Sequence, residues 1–148
     1  MSADPEKVAE AVGAAMMRSD RAAAHNGISA LCVRPGGADV ELTLAAHHLN
    51  GHGNCHGGVL FLLADTALGL ACNSYGPMAV AAGADIVFAR PAVLGERLVA
   101  TAVERDRFGR SALFDVTIRR GDEVIAEFRG RTRTIGQSQP GSDGVMVT

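Results

Sequence analysis

The spacing of hydrophobic and polar positions changes several times along the 148-residue chain, and each change marks an element. Residues 5–23 are rich in Ala, Glu, Met and Arg, which favour helix. Val8, Val12 and Met16 recur at i, i+4 spacing, so one face of this helix is expected to dock on the domain. Asp20 to Asn26 reads as the polar exit from it. Gly27 to Val33 is a strand candidate with Ile28, Ala30 and Cys32 on one face, followed by the turn Arg34-Pro35-Gly36-Gly37. In Asp39 to Leu44, Val40, Leu42 and Leu44 alternate with polar residues, which predicts the returning strand of a hairpin.

The stretch from His56 to Asn73 is apolar on nearly every side. A helix of that kind lies in a core rather than on a surface. Gly76 and Pro77 stop it. Four β-patterned runs follow: Met78 to Ala89, Glu96 to Arg105, Ser111 to Arg119 and Glu123 to Ile135. Turns are expected at Arg107-Phe108-Gly109-Arg110 and at Gly121-Asp122. Ala112, Phe114, Val116 and Ile118 share one face of the third run. Val124, Ala126 and Phe128 face the core on the fourth, with Glu127, Arg129, Arg131 and Arg133 opposite. The pattern predicts an α+β fold, a twisted antiparallel sheet wrapped around one long central helix. Residues 1–26 form an N-terminal helix and connection, 27–136 one domain, and 137–148 a flexible polar tail.

A net charge of −2 gives no reason to expect nucleic-acid binding. The polar N-terminus lacks the apolar core of a signal peptide, and no apolar run is long enough to span a membrane. Cys32, Cys55 and Cys72 make an odd count without a CxxC pair, which fits a reduced, cytoplasmic protein.

Candidate chemistry centres on the buried helix. Asp65 is its single charged residue, and burying a lone carboxylate costs several kcal/mol unless something pairs with it. The alternatives are a structural Asp satisfied by neighbours and a carboxylate kept for chemistry. Gly57 and Gly58 open the helix, where backbone amides suit a developing oxyanion; close packing is the other explanation. Gly57 and Asp65 stand eight residues apart, about 12 Å along the axis. One small carbonyl reaches both only if a second subunit's helix lies antiparallel beside the first, so the spacing favours a two-fold dimer with shared sites. His48, His52 and His56 recur every four residues beside Cys55, but Gly51 and Gly53 argue against a helix there, and no metal is expected. Arg90, Arg97, Arg129, Arg131 and Arg133 are either a solvated face or a hold on phosphates. No G-x-S-x-G elbow supports a serine triad.

Asn50-Gly51-His52-Gly53-Asn54-Cys55-His56-Gly57-Gly58, Leu62-Leu63-Ala64-Asp65-Thr66-Ala67 and Ala71-Cys72-Asn73-Ser74 together resemble the hotdog-fold thioesterases of the phenylacetyl-CoA (PaaI) type. Phe88-Ala89-Arg90-Pro91-Ala92 and Phe128-Arg129-Gly130-Arg131 resemble two further segments of that family. The likeness runs from about residue 26 to residue 136. It implies a hotdog fold that dimerises into a continuous sheet and commonly forms homotetramers. The implied activity is hydrolysis of an acyl-CoA, aryl or medium-chain, with coenzyme A as part of the substrate and no separate cofactor. By the resemblance, the Gly57 amide polarises the carbonyl. Asp65 of the partner chain attacks it or activates water, and Asn50 and His56 position the reactants. His52, Gly58, Ala82, Gly83, Arg90 and Arg129 are the expected contacts to the CoA or acyl group.

The chain departs from relatives that carry a hydroxyl in the segment matching Val80-Ala81-Ala82-Gly83. It also has Gly69 where another hotdog branch has Thr. A hotdog hydratase using His56, or a non-catalytic acyl-CoA sensor, are the rival expectations.

Overall fold

A computed structural model describes residues 3–138. Two helices come first, α1 (Pro5–Ser19) and α2 (Arg21–Asn26), then the strands β1 (Ser29–Arg34) and β2 (Gly37–Thr43). The long helix α3 (Gly57–Asn73) precedes β3 (Pro77–Phe88), β4 (Arg97–Phe108), β5 (Ser111–Arg120) and β6 (Glu123–Ser138). The six strands form one antiparallel sheet in the order β1-β2-β4-β5-β6-β3. The sheet packs one face on α3, the arrangement that the hydrophobic pattern predicts. Of the stretch read as a tail, residues 137 and 138 end β6, and 139–148 lie outside the described residues.

Burial of α3 organises this architecture. Leu63, Ala64, Ala67 and Leu68 are completely buried, as are Val40, Leu98, Phe114, Val116 and Ile118 on the facing strands. Each such leucine contributes roughly 1.5–3 kcal/mol relative to exposure. Gly130 on β6 lets the helix lie close. A Cβ there would stand 2.6 Å from Leu68 Cδ2, well inside contact distance.

The far end of α3 is fastened by its own last residues. Asn73 Nδ2 donates to the Ala79 carbonyl at 3.0 Å, and Asn73 Oδ1 accepts the Ala79 amide at 2.8 Å. Ser74 Oγ accepts the Gly36 amide at 2.8 Å and donates to the Ala71 carbonyl at 2.6 Å. One helix end is thus stitched to both β3 and the β1–β2 turn. Asn73-Ser74, quoted above for its resemblance to a family segment, has a structural function here.

Three local expectations are corrected. Asp20 to Asn26 is not a plain exit: the Asp20 carboxylate accepts the Ala23 amide at 2.9 Å and caps a second short helix. The inward face of β1 is not Ile28, Ala30 and Cys32. A bulge between Ala30 and Cys32 shifts the alternation, so Ile28 and Val33 are buried while Ala30 and Cys32 are exposed. A second irregularity between Ile118 and Arg119 does the same at the start of β6, burying Ile125 in place of Val124.

Gly130→Ala is expected to cost about 1–3 kcal/mol, because its methyl group meets a fully buried leucine that has no room to retreat. Urea unfolding of the variant, alone and combined with Leu68→Ala, checks it. The second substitution should remove most of the clash.

Candidate active site

The amino end of α3 emerges at the rim of the sheet beside the connection from β3 to β4. Between them lies a cleft of about 370 Å³. Asn50, Cys55, Gly57 and Leu60 line one side, and Phe88, Ala89, Arg90, Pro91 and Ala92 the other. Two of the sequence segments singled out above therefore face each other. The Cys55 amide donates to the Ala92 carbonyl at 2.7 Å and holds the two walls together.

The first turn of a helix leaves its amides without intrahelical partners. Here most of them are taken. His56 is the N-cap, and its Nδ1 accepts the Gly58 amide at 2.9 Å. The Val59 and Leu60 amides donate to the His56 carbonyl at 2.9 and 3.2 Å. The Gly57 amide is left with no acceptor among the described residues. It opens beside the cleft with the partial positive charge of the helix end behind it. A Cβ at Gly57 would stand 2.9 Å from Phe88 Cζ, so glycine lets the aromatic wall close over this amide. The expectation that both glycine amides are open is thus corrected: Gly58 is spent on the cap.

Asn50 supplies a second donor. Its Oδ1 accepts the His52 amide at 2.9 Å and the Asn54 amide at 3.2 Å. Those two donors fix the orientation of the side-chain amide, leaving Nδ2 without an acceptor among the described residues. In neutral His56, Nδ1 is the acceptor, so Nε2 carries the proton. The exposed His52 contributes its backbone to this loop. His48 is buried and structural: Nδ1 accepts the Ala45 amide at 2.9 Å, and Nε2 faces the Asn26 carbonyl at 2.8 Å. The histidines thus divide among caps and loop contacts. Cys55 also borders the cleft, but burial pushes its thiol up to about 11, far from a neutral-pH nucleophile.

Asp65 lies two turns further along α3 and is not among the residues lining this cleft. It is half-buried, and its carboxylate has no hydrogen bond or ion pair among the described residues. Burial holds it above the ordinary carboxylate range, and the like charge of Asp20 pushes the same way. Sequence reasoning missed Asp20 because a capping aspartate reads as turn chemistry. Only the packing of α1 and α2 beside α3 relates it to Asp65.

The remaining candidates divide. Arg90 borders the cleft, with Nη1 on the Val124 carbonyl at 2.8 Å and Nε 3.4 Å from Glu123. Ala82 and Gly83 lie on β3, at the sheet edge away from the helix start. Arg129 is not in the cleft. It makes a two-point ion pair with Asp115, at 2.7 and 2.9 Å, on the sheet face that turns away from α3. Asp85, opposite Arg129 in the strand register, adds to that charge pairing.

The family model described as "Thioesterase superfamily" matches residues 52–127. The chain is 42% identical over 123 residues to the acyl-coenzyme A thioesterase PaaI of Escherichia coli K12, spanning 82% of this chain and 88% of that protein. The solved structure of the E. coli PaaI protein from the phenylacetic acid degradation operon superimposes with a TM-score of 0.88 at 39% identity, covering 91% of this chain and 99% of that one. A putative esterase of Archaeoglobus fulgidus is 34% identical over 109 residues, 73% of this chain and 71% of that protein.

An acid whose pKa rises on folding stabilises the fold below its unfolded pKa, and that contribution is lost as pH rises through the raised value. Asp65→Asn is therefore expected to melt above wild type at pH 8, with the gap closing toward about pH 3. Thermal unfolding at the two pH values checks the sign.

Proposed function

This chain belongs to the thioesterase superfamily, and from that membership we propose how its own residues hydrolyse an acyl-CoA thioester. The observation that carries the reading is the Gly57 amide, the one donor of the first helical turn without an acceptor among the described residues, beside a largely apolar cleft. A thioester carbonyl bound there gains negative charge on its oxygen as it is attacked. A fixed amide at a helix start stabilises that charge more than the neutral ground state. Asn50 Nδ2 and the His56 Nε2 proton are available as further donors at the same end of the helix. The aromatic and aliphatic lining, Phe88 and Leu60, suits an aryl or medium-chain acyl group. The origin of the E. coli relative in a phenylacetic acid operon supports the aryl member of that class.

Asp65 supplies the attack, as nucleophile or by activating water. Within one protomer it stands about 12 Å from Gly57 along the helix axis. The reading therefore includes a two-fold dimer. β3 is an edge strand of twelve residues that leaves Val80, Val87 and Phe88 exposed. Such an edge templates pairing with another strand. A second copy paired there extends the sheet and sets the two α3 helices antiparallel, Asp65 of one toward Gly57 of the other. The amide opposite would favour the ionised form and offset part of the rise that burial gives Asp65.

His56 argues against the hydratase rival. Proton abstraction at carbon needs a free basic nitrogen, and Nδ1 is committed to the Gly58 amide.

Gly57→Pro removes the donor, and Gly57→Ala, which keeps the amide but brings the same Cβ against Phe88, is the control for packing. Gly57 is the first helical residue, where proline is well tolerated, and His56 before it already has extended backbone. The variant should keep its helix and lose roughly 10²–10³ in kcat in a thiol-release assay on aryl-CoA esters. Asp65→Ala should lose roughly 10²–10⁴. Co-refolding the two inactive chains should restore about a quarter of wild-type activity, because each mixed dimer assembles one intact site. No recovery would refute the shared site.

A further inference from the structure

We propose that Arg120, a residue remote from the reacting atoms, positions the Gly57 amide by strapping down the β3–β4 connection; this rests on the thioesterase reading. The wall of the cleft that faces Gly57 belongs to a connection without regular structure, residues 89–96. Such a segment keeps a fixed shape only if its polar groups are tied to something rigid. Arg120 closes β5, a strand with both neighbours in place, and its guanidinium reaches across to the connection. Nη1 donates to the Pro91 carbonyl at 3.2 Å and to both Glu96 oxygens at 2.8 and 3.0 Å. Nη2 donates to Glu123. Glu96 in turn accepts the Val93 amide at 2.7 Å. One side chain therefore grips both ends of the 91–96 turn, directly at Pro91 and through Glu96 at Val93.

The strap has a route to the helix start. Ala92, inside the gripped turn, accepts the Cys55 amide at 2.7 Å, and Cys55 lies two residues before Gly57. Asn54 and Val93 form a bridge beside it. Phe88 approaches Gly57 from the start of the same connection. The cleft's width and the entry of the chain into α3 depend on where this turn sits, while Phe88 itself is fixed by its pairing with Ala126 at the end of β3. Glu96 is held below its ordinary carboxyl range by the Val93 amide and by Arg120, so the strap stays charged through neutral pH. Arg120 touches no reacting atom. It acts through the turn and is a positioning residue.

Arg120→Gln keeps bulk and polarity but removes the charge and the forked grip. In an assay of acyl-CoA thiol release, kcat/KM is expected to fall roughly 10- to 100-fold, with kcat carrying part of the loss, at nearly unchanged melting temperature. Hydrogen exchange should show the Cys55 and Val93 amides losing protection while α3 keeps its own. Arg120→Lys, which keeps a charged donor at the same position, should lose less of both. Wild-type kinetics together with wild-type exchange in Arg120→Gln would overturn the proposal. So would an activity loss that tracks global unfolding, or one without change at Cys55 and Val93. If wild type hydrolyses no acyl-CoA, the thioesterase reading fails. The exchange arm then decides the strap by itself: lost protection supports it and unchanged protection refutes it.

Discussion

The structure depends on one constraint: a seventeen-residue helix with a single charged side chain has to be removed from water. A sheet of six strands does this by presenting Phe114, Val116 and Ile118 from β5 and matching apolar positions from its neighbours. Small residues set the distance, most sharply at Gly130 beneath Leu68. Asn73 and Ser74 then fasten the carboxyl end of the helix to β3 and to the β1–β2 turn. With that end tied, the amino end is delivered to the rim of the sheet, where backbone amides meet a cleft.

Function follows from what the helix start leaves undone. Its capping histidine satisfies one amide and its carbonyl two more, so one donor remains. The leftover donor and the only carboxylate of the helix lie on the same element, too far apart for one small group to bridge within a chain. An exposed edge strand bearing valines and a phenylalanine ends beside the donor, with Phe88 against Gly57. In the proposed function catalysis and assembly are coupled by geometry: the surface to be covered is the one that would bring the complementary group.

The second organising feature is the irregular wall facing the helix. It lacks the continuous ladder of hydrogen bonds that holds a strand, and scattered backbone bonds to Leu44, Cys55 and Ile125 are supplemented by arginine side chains. Arg120 ties Pro91 and Glu96, while Arg90 ties the connection back to Val124. Arg90, for which the sequence leaves open a solvated face or a hold on phosphates, holds a backbone carbonyl here. Arg129, spent on Asp115, belongs to the same pattern.

Periodicity identified the β2 and β5 faces and the approximate extent of the long strands, because side-chain period is a direct imprint of which face is dry, and unbroken apolarity identified α3. The eight-residue interval from Gly57 to Asp65 was equally legible, since helical rise converts residue count into distance. Hidden from that reading were the bulges in β1 and at the start of β6, where one extra residue reverses the inward face without altering composition. Hidden too were the loss of the Gly58 amide to His56, the approach of Asp20 to Asp65, and the partners of each arginine. These depend on which backbone groups meet across segments distant in sequence. Hydrogen bonding and charge act over a few ångströms, and only packing sets such distances.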